Sequence, residues 1–425
     1  MGLRCAFEVS GKRGIDLVSK AFDWLAFFNC SREIKLKLPS AVCFSSQRPL
    51  QKIVESKILG AGEKINEVAR QVYGLLGLPV DAIDFRTLME TMDAAVAQRE
   101  AFLISTPNVN FLLKSHRNAA FRASILHSDL CLVDGMPLIW IAKLLRVPIR
   151  ERLAGSDLFG RLKARADRPL RVFLFGGTGD LAVRVGVKLN LEKSGLECVG
   201  ALNPGFGTVD DLSSSEIIET INRSGADLLA VFLNAEKAQA WLLHNHARLT
   251  VPVRAQFGAT INFEAGTVKR APQLLRSTGF EWLWRIKEEP YLWRRYWSDG
   301  CSLLGLLLFS VLPLAVDAAL NRPRDNLSVQ FRDGGDHVTI SPIGSAAGAD
   351  VERIVPLIDR GLVAGKPIKF DLSRTSHIDG RFFGVLLALS RELAKMGQSL
   401  DVSGVPPRLE RLFRLNRFEF LLASD

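Results

Sequence analysis

Residues 266–300 read GTVKRAPQLLRSTGFEWLWRIKEEPYLWRRYWSDG, where Arg270, Arg285, Arg294 and Arg295 alternate with Trp282, Trp284, Trp293 and Trp297. Guanidinium forks bind phosphate through paired hydrogen bonds, and indoles settle at the headgroup level of a bilayer. The stretch therefore suits an anionic ligand held at a membrane surface. On residue types alone it suits somewhat better a helical hairpin with tryptophans in its core and charges in water. Upstream stand Thr106-Pro107-Asn108-Val109-Asn110, then Asp134-Gly135, then Arg152 followed by Gly155-Ser156-Asp157. A carboxylate beside a glycine at a strand end is rigidly held yet open to a substrate hydroxyl, as a general base must be. The same dipeptide is also an ordinary turn. Gly176-Gly177-Thr178-Gly179-Asp180 is a glycine-rich loop whose backbone amides could approach a diphosphate, although it lacks the full dinucleotide fingerprint and the P-loop lysine.

The elements that position these residues follow from periodicity. Helical spacing runs over 61–75, a strand-like start with turn chemistry over 78–85, and a helix over 86–98. Strands are predicted at 101–105, 130–133, 171–175, 198–202, 228–232 and 253–257, each followed by a helical or glycine-rich stretch. This rhythm specifies an α/β class: a Rossmann-like, mainly parallel sheet with helices on both faces, which binds ligands where strands end and loops begin. At the N-terminus, residues 12–28 repeat apolar positions at helical spacing behind a basic pair. That pattern fits an interfacial amphipathic helix or an ordinary docking helix. Residues 30–60 are basic and irregular, and read as a linker.

The chain has 425 residues, 48% hydrophobic and 24% charged, enough for two or three domains. The formal charge of +10 is concentrated in 1–60 and 266–300, which points to a local anionic surface and away from nucleic acid. Six cysteines at unrelated spacings, with no CxxC, argue against a zinc site or a disulfide framework and for a reducing, cytoplasmic setting. No apolar core with a small-residue cleavage site opens the chain, so no secretory signal peptide is expected. His244 and His246 sit at i, i+2 on an expected helix, which is poor geometry for one metal. All six histidines are expected to be structural or solvent-facing.

The ordered series TPNVNFL, LVDGMPLIW, ERLAGSDL, FLFGGTGD, FGATINFEAGTVKRAP, GFEWLWRIKEEP and RRY resembles the WecG/TagA/CpsF glycosyltransferases of bacterial surface-polysaccharide synthesis. The resemblance covers roughly residues 78–296. It implies transfer of a sugar from a UDP-sugar to a polyprenyl-linked glycan acceptor at the cytoplasmic face of the inner membrane. It also implies inversion at the anomeric centre, with no bound metal or cofactor. Asp134 matches the family's DG aspartate, the proposed base, while Thr106 and Asn108 match its T-x-N pair and Arg152 the arginine before G-[ST]-D. Gly176, Gly177 and Gly179 are expected at the donor diphosphate. Arg270, Arg285, Arg294 and Arg295 fall in the family's C-terminal appendage, where arginines neutralise diphosphate. One departure stands out: where family members carry G-x-P-x-Q-E-x-W, this chain has Asn234-Ala235-Glu236-Lys237-Ala238-Gln239-Ala240-Trp241. Either Lys237 or Gln239 takes over a contact to a different sugar, or the chain binds nucleotide without turnover. Intact Asp134, Thr106 and appendage arginines favour the first.

The apolar run 301–316 is short for a bilayer span and contains Pro313, so a monotopic anchor is expected. Past the proline-containing linker at 321–324, strands are predicted at 327–332, 337–342, 367–372 and 400–402, with an amphipathic helix at 384–396. Residues 368–422 resemble STAS domains. Switching members carry D-S-S-G at the helix start, whereas this chain has Asp379-Gly380-Arg381-Phe382, so phosphorylation is not expected there. Ser373, Thr375 and Ser376 are expected as turn or capping residues. The expected organisation is a basic segment at 1–77, the transferase sheet at 78–265, the appendage and apolar segment at 266–320, and the STAS-like unit at 325–425. That last unit would dock a protein partner or a second copy of the chain. The competing reading is a catalytically silent nucleotide-sugar sensor signalling through it.

Overall fold

The computed structural model describes Val68, residues 70–321 and residues 325–422. The pattern at 12–28 and the linker at 30–60 lie outside these. The helix expected over 61–75 is corrected within the described part: Val72–Leu75 is strand β1, paired antiparallel with β2, Leu78–Asp81. The two-residue turn between them puts both Leu76 and Gly77 at positive φ, the geometry that matches the right-handed twist of a hairpin. A β-branched, aromatic and glycine-containing segment fits the hairpin's face better than a helix.

The central sheet comprises β3 (Phe102–Ser105), β4 (Leu130–Cys131), β5 (Leu170–Gly176), β6 (Leu196–Leu202), β7 (Leu228–Phe232) and β8 (Val253–Gln256). Their order is β4-β3-β8-β7-β5-β6, and every neighbouring pair is parallel. Alternate residues of each strand feed two separate cores, as expected of a sheet covered on both faces. Ile104, Leu130, Val172, Leu174, Ala230 and Ala255 pack with α1 (Phe85–Gln98), α5 (Gly155–Lys163) and α6 (Leu181–Glu192). On the other face Leu103, Phe173, Phe175, Leu229 and Val231 meet α7 (Ser215–Arg223) and α8 (Ala235–His244). Trp241 of α8 is fully buried there, stacked on Phe175 at 4.3 Å, with its indole N–H donating to Leu212 O. Beside β4 lie α2 (Val109–Arg117), α3 (Ala119–Leu126) and α4 (Met136–Leu144). The chain leaves β5 toward β6 but leaves β7 in the opposite direction toward β8, so a topological switch point lies between β5 and β7.

After α9 (Thr260–Glu264) come α10 (Gln273–Ser277) and α11 (Glu281–Glu288). A continuous helical stretch, Pro290–Leu320, follows, 31 residues long. It contains α12 (Trp293–Leu306), a π-turn at Leu307–Val311 and α13 (Leu312–Leu320). Pro313 therefore does not break the helix. Leu312 N–H reaches back five residues to Leu307 O, and the widened turn makes room for the proline ring. Leu306, Val311 and Leu314 turn into the core, while Leu304, Leu308, Phe309, Leu312, Val316 and Leu320 are exposed. The protein flanks the helix along its length: Asn110 bonds Asp299, Arg117 bonds Ser302, and Arg408 lies 3.7 Å from Asp317.

The C-terminal unit has its own sheet. β9 (Ser328–Asp333) pairs antiparallel with β10 (Val338–Ala346), and β11 (Ile368–Asp371), β12 (Thr375–Ile378) and β13 (Asp401–Ser403) complete it in the order β12-β10-β11-β13. Its helices are α14 (Val355–Val363), α15 (Gly380–Lys395) and α16 (Pro407–Leu415). Thr375 and Ser376 belong to β12, not to a loop, and buried Thr375 Oγ1 donates to Pro342 O. The unit's core is continuous with that of the hairpin and of α2 to α4: Leu75, Leu78, Phe111, Phe121, Leu138, Phe382, Phe383 and Phe418 belong to one cluster.

Candidate active site

Parallel strands put their C-terminal ends on one edge, and the polar residues collect there. Asp134 leaves the end of β4, its N–H donating to Pro107 O at 2.9 Å. Gly135 follows at φ +123°, a backbone conformation that L side chains rarely adopt, and Pro137 stands in the first turn of α4. The DG pair thus serves both to present a carboxylate and to turn the chain sharply away from it. Thr106, buried, follows directly on β3 and lies against Gly155, and Asn108 lies against Gly135. Asn108 spends its side-chain oxygen capping α2, accepting from Phe111 N–H at 3.2 Å.

Facing Asp134 is a network of three cations and two carboxylates. Arg152 donates from Nη1 to Glu281 Oε2 at 2.8 Å and from Nη2 to Asp157 Oδ2 at 2.7 Å. Asp157, in the first turn of α5, also takes Arg270 and, at 3.0 Å, Arg276; Arg270 bonds Ser156 Oγ as well. Burial opposes ionisation of Asp157, but Arg270 and Arg152 outweigh it and hold the carboxyl below its ordinary range. Asp134 is different. Burial pushes it up to about 7, Arg152 works against that, Glu281 and Asp157 add to it, and the Gly155 amide favours the ionised form. A carboxylate poised near neutrality beside a fixed cation can take a proton from a hydroxyl and keep it.

The structure thus brings together Thr106, Asn108, Asp134, Arg152 and Arg270. Three residues the sequence reading passed over join them. Arg276 and Glu281 come from the appendage. Gln256 ends β8 next to Gly155, with a buried side-chain oxygen that has no hydrogen-bond partner among the described residues. Asp157 stands in the G-S-D motif, but the motif alone does not disclose the three arginines it gathers. Arg285 lies elsewhere in its bonding: it pairs with Glu289 at 2.6 Å and stands over the Phe263 ring. Arg294 and Arg295 are exposed on α12 and stack on Trp293 and Tyr296. Gly176, Gly177 and Gly179 all have positive φ, and Gly177 N–H bonds Phe232 O, so this loop fills the switch point between β5 and β7. That is four strand steps from Asp134, about 19 Å along the edge. Lys237 Nζ donates to Gly207 O at 2.6 Å. Gln239 is wholly buried and donates to Ser105 Oγ at 2.8 Å, behind Thr106 instead of in the open site.

Residues 73–315 match the model of the WecG/TagA/CpsF glycosyltransferase family. The chain belongs to that family. This glycosyltransferase is 28% identical over 203 residues to an N-acetylglucosaminyldiphosphoundecaprenol N-acetyl-beta-D-mannosaminyltransferase of Bacillus spizizenii, an alignment covering 47% of this chain and 77% of the relative. The glycosyltransferase thus carries its C-terminal unit beyond the matched region.

Proposed function

We propose that this glycosyltransferase moves a sugar, an N-acetylhexosamine or hexose, from a UDP-sugar to a polyprenyl-diphosphate-linked acceptor, with inversion, in the synthesis of exopolysaccharide or another surface glycan. The observation that carries this reading is Asp134: half-buried, poised near neutral pH, and faced by Arg152 with Arg270 and Arg276 one carboxylate away. Asp134 would take the proton of the acceptor hydroxyl as its oxygen attacks the anomeric carbon, and the bond to UDP would break on the opposite side. Negative charge then gathers on the departing diphosphate. The guanidinium groups stabilise it, which is worth most where water is excluded. Arg270 and Arg276 are held by Asp157 beforehand, which fixes their direction, and Arg285, Arg294 and Arg295 add positive charge to the appendage. The glycine loop at the switch point would receive the nucleotide end of the donor, with Lys237 fixing the adjoining loop at Gly207.

The one-sided helix supports membrane association. With protein along one face of Pro290–Leu320, it would lie on the cytoplasmic face of the inner membrane as an interfacial element, exposed leucines into the acyl boundary and Trp293, Trp297, Arg294 and Arg295 at headgroup level. The C-terminal unit, which resembles STAS domains, caps its long helix with Asp379, whose carboxylate accepts from Arg381 and Phe382 N–H groups, and offers no serine there.

The test is UDP release by full-length protein in detergent across a panel of UDP-sugars with a polyprenyl-diphosphate-linked acceptor, with mass detection of the product lipid. Turnover that Asp134→Asn lowers by roughly 10²-fold or more is expected. Donor binding with no turnover across the panel would instead support the silent sensor suggested by Ala238 and Gln239.

A further inference from the structure

The proposed base hangs from a short strand. β4 is two residues long and forms the edge of its sheet. Its Cys131 N–H donates to Asp81 Oδ2 at 2.7 Å, and Asp81, the last residue of the β1–β2 hairpin, pairs with Arg70 at 2.9 Å. Just upstream, Asp129 accepts from Leu103 N–H of β3 at 2.6 Å, and Ser128 Oγ lies 2.6 Å from Ser105 Oγ. These anchors fix the chain immediately before Thr106 on one strand and Asp134 on the other.

Both anchors lead to one helix of the C-terminal unit. Arg391 of α15 binds the Asp129 carboxylate and donates to Ser128 O at 2.9 Å. The hairpin that holds Cys131 is seated on the same helix at backbone contact: a Cβ at Gly384 would stand 1.9 Å from Val72 O, one at Gly74 2.5 Å from Phe383 Cβ, and one at Gly380 3.1 Å from Gly74 O. Arg381, 1% exposed, donates to Val72 O at 3.0 Å and to Glu352 at 2.8 Å. The face of α15 carrying residues 380, 381 and 384 is therefore filled by the chain's own hairpin.

We propose that the C-terminal unit is an internal brace of the transferase, in which Arg391 and the Gly380/Gly384 seat are positioning residues that hold the end of β4, and with it Asp134, against Thr106. This rests on reading Asp134 as the base. Displacement of a catalytic group by about 1 Å can cost on the order of 10²-fold in rate, so a two-residue edge strand has reason to be braced.

The experiment compares full-length wild type with Arg391→Ala, Arg391→Lys, Gly384→Ala and, as a surface control on α16, Arg414→Ala. Turnover is followed against pH, and amide hydrogen exchange is followed in 102–106 and 128–134. Arg391→Ala and Gly384→Ala are expected to lower kcat by roughly tenfold or more, to speed exchange in both segments, and to move the midpoint of the pH dependence downward as water reaches Asp134. Arg391→Lys is expected to recover part of each effect, and Arg414→Ala, an exposed residue paired along its own helix with Glu410, to leave rate, exchange and midpoint at wild-type values. A variant that is merely less stable loses rate without moving the midpoint. Wild-type exchange, rate and midpoint in both altered proteins would overturn the brace; should the alanine variants not accumulate, Arg391→Lys against wild type gives the same comparison. Absence of turnover in wild type would sink the transferase reading alone, because exchange reads the brace without it.

Discussion

Asp134 must give up its own proton before it can accept another, and its surroundings resist that. Because burial lifts it to about 7, it is mostly protonated below that pH and ionised above it. A base works only when ionised, so kcat/KM should rise with pH through about 7 and level off above. Glu281→Gln removes one of the charges that raise Asp134 and also releases Arg152 from its second carboxylate. Both changes favour the ionised base. The limb should shift to lower pH, and an unmoved limb would show that Asp134 does not set it. At this scale the sequence disclosed what local context discloses. Asp134, Thr106 and Arg152 stand in short motifs, whereas Glu281 reaches Arg152 across 129 positions and Arg276 reaches Asp157 across 119. No spacing rule spans such distances.

Among the elements, the turn from β4 into α4 is the most constrained. Gly135→Ala has room for its methyl, the nearest atom being 3.9 Å away, so its cost comes from the φ of +123° alone. About 1–3 kcal/mol of strain is expected. It should appear as a lowered melting temperature together with a lowered kcat, since the chain can relieve the strain only by moving Asp134. The helix Pro290–Leu320 makes a separate prediction: replacing exposed Leu304, Leu308 and Leu312 by Asn should abolish flotation with anionic vesicles at high salt, where charge attraction is screened and apolar burial remains. Most of the six parallel strands were legible as short apolar runs bounded by turns, although β6 carries exposed Glu197 and β8 buried Arg254 and Gln256. The β1 strand was not, because its four residues share the spacing of a helix and its partner for burial, α15, lies some three hundred positions later. The π-turn was equally hidden, since nothing in composition distinguishes a helix that stops at Pro313 from one that widens before it.

At the scale of the molecule, one apolar core joins the C-terminal sheet to the hairpin, to α2 to α4 and to Cys131 at the edge of the central sheet. Calorimetry on the full chain should therefore show both sheets melting in one transition, and two well-separated transitions for them would mean that this core contributes little to coupling them. The same arrangement bears on solubility. A sheet edge with unpaired backbone groups is a template on which another chain can add a strand. In this protein one edge of the central sheet is β4, where the carboxylate of Asp81 occupies the Cys131 amide while Arg70 and Arg391 crowd the strand with charge. A chain cut at Asn321 would lose Arg391 and the seat of the hairpin together. Its failure would then be intermolecular: strand-to-strand growth from one molecule to the next, with the folded remainder of the sheet carried along.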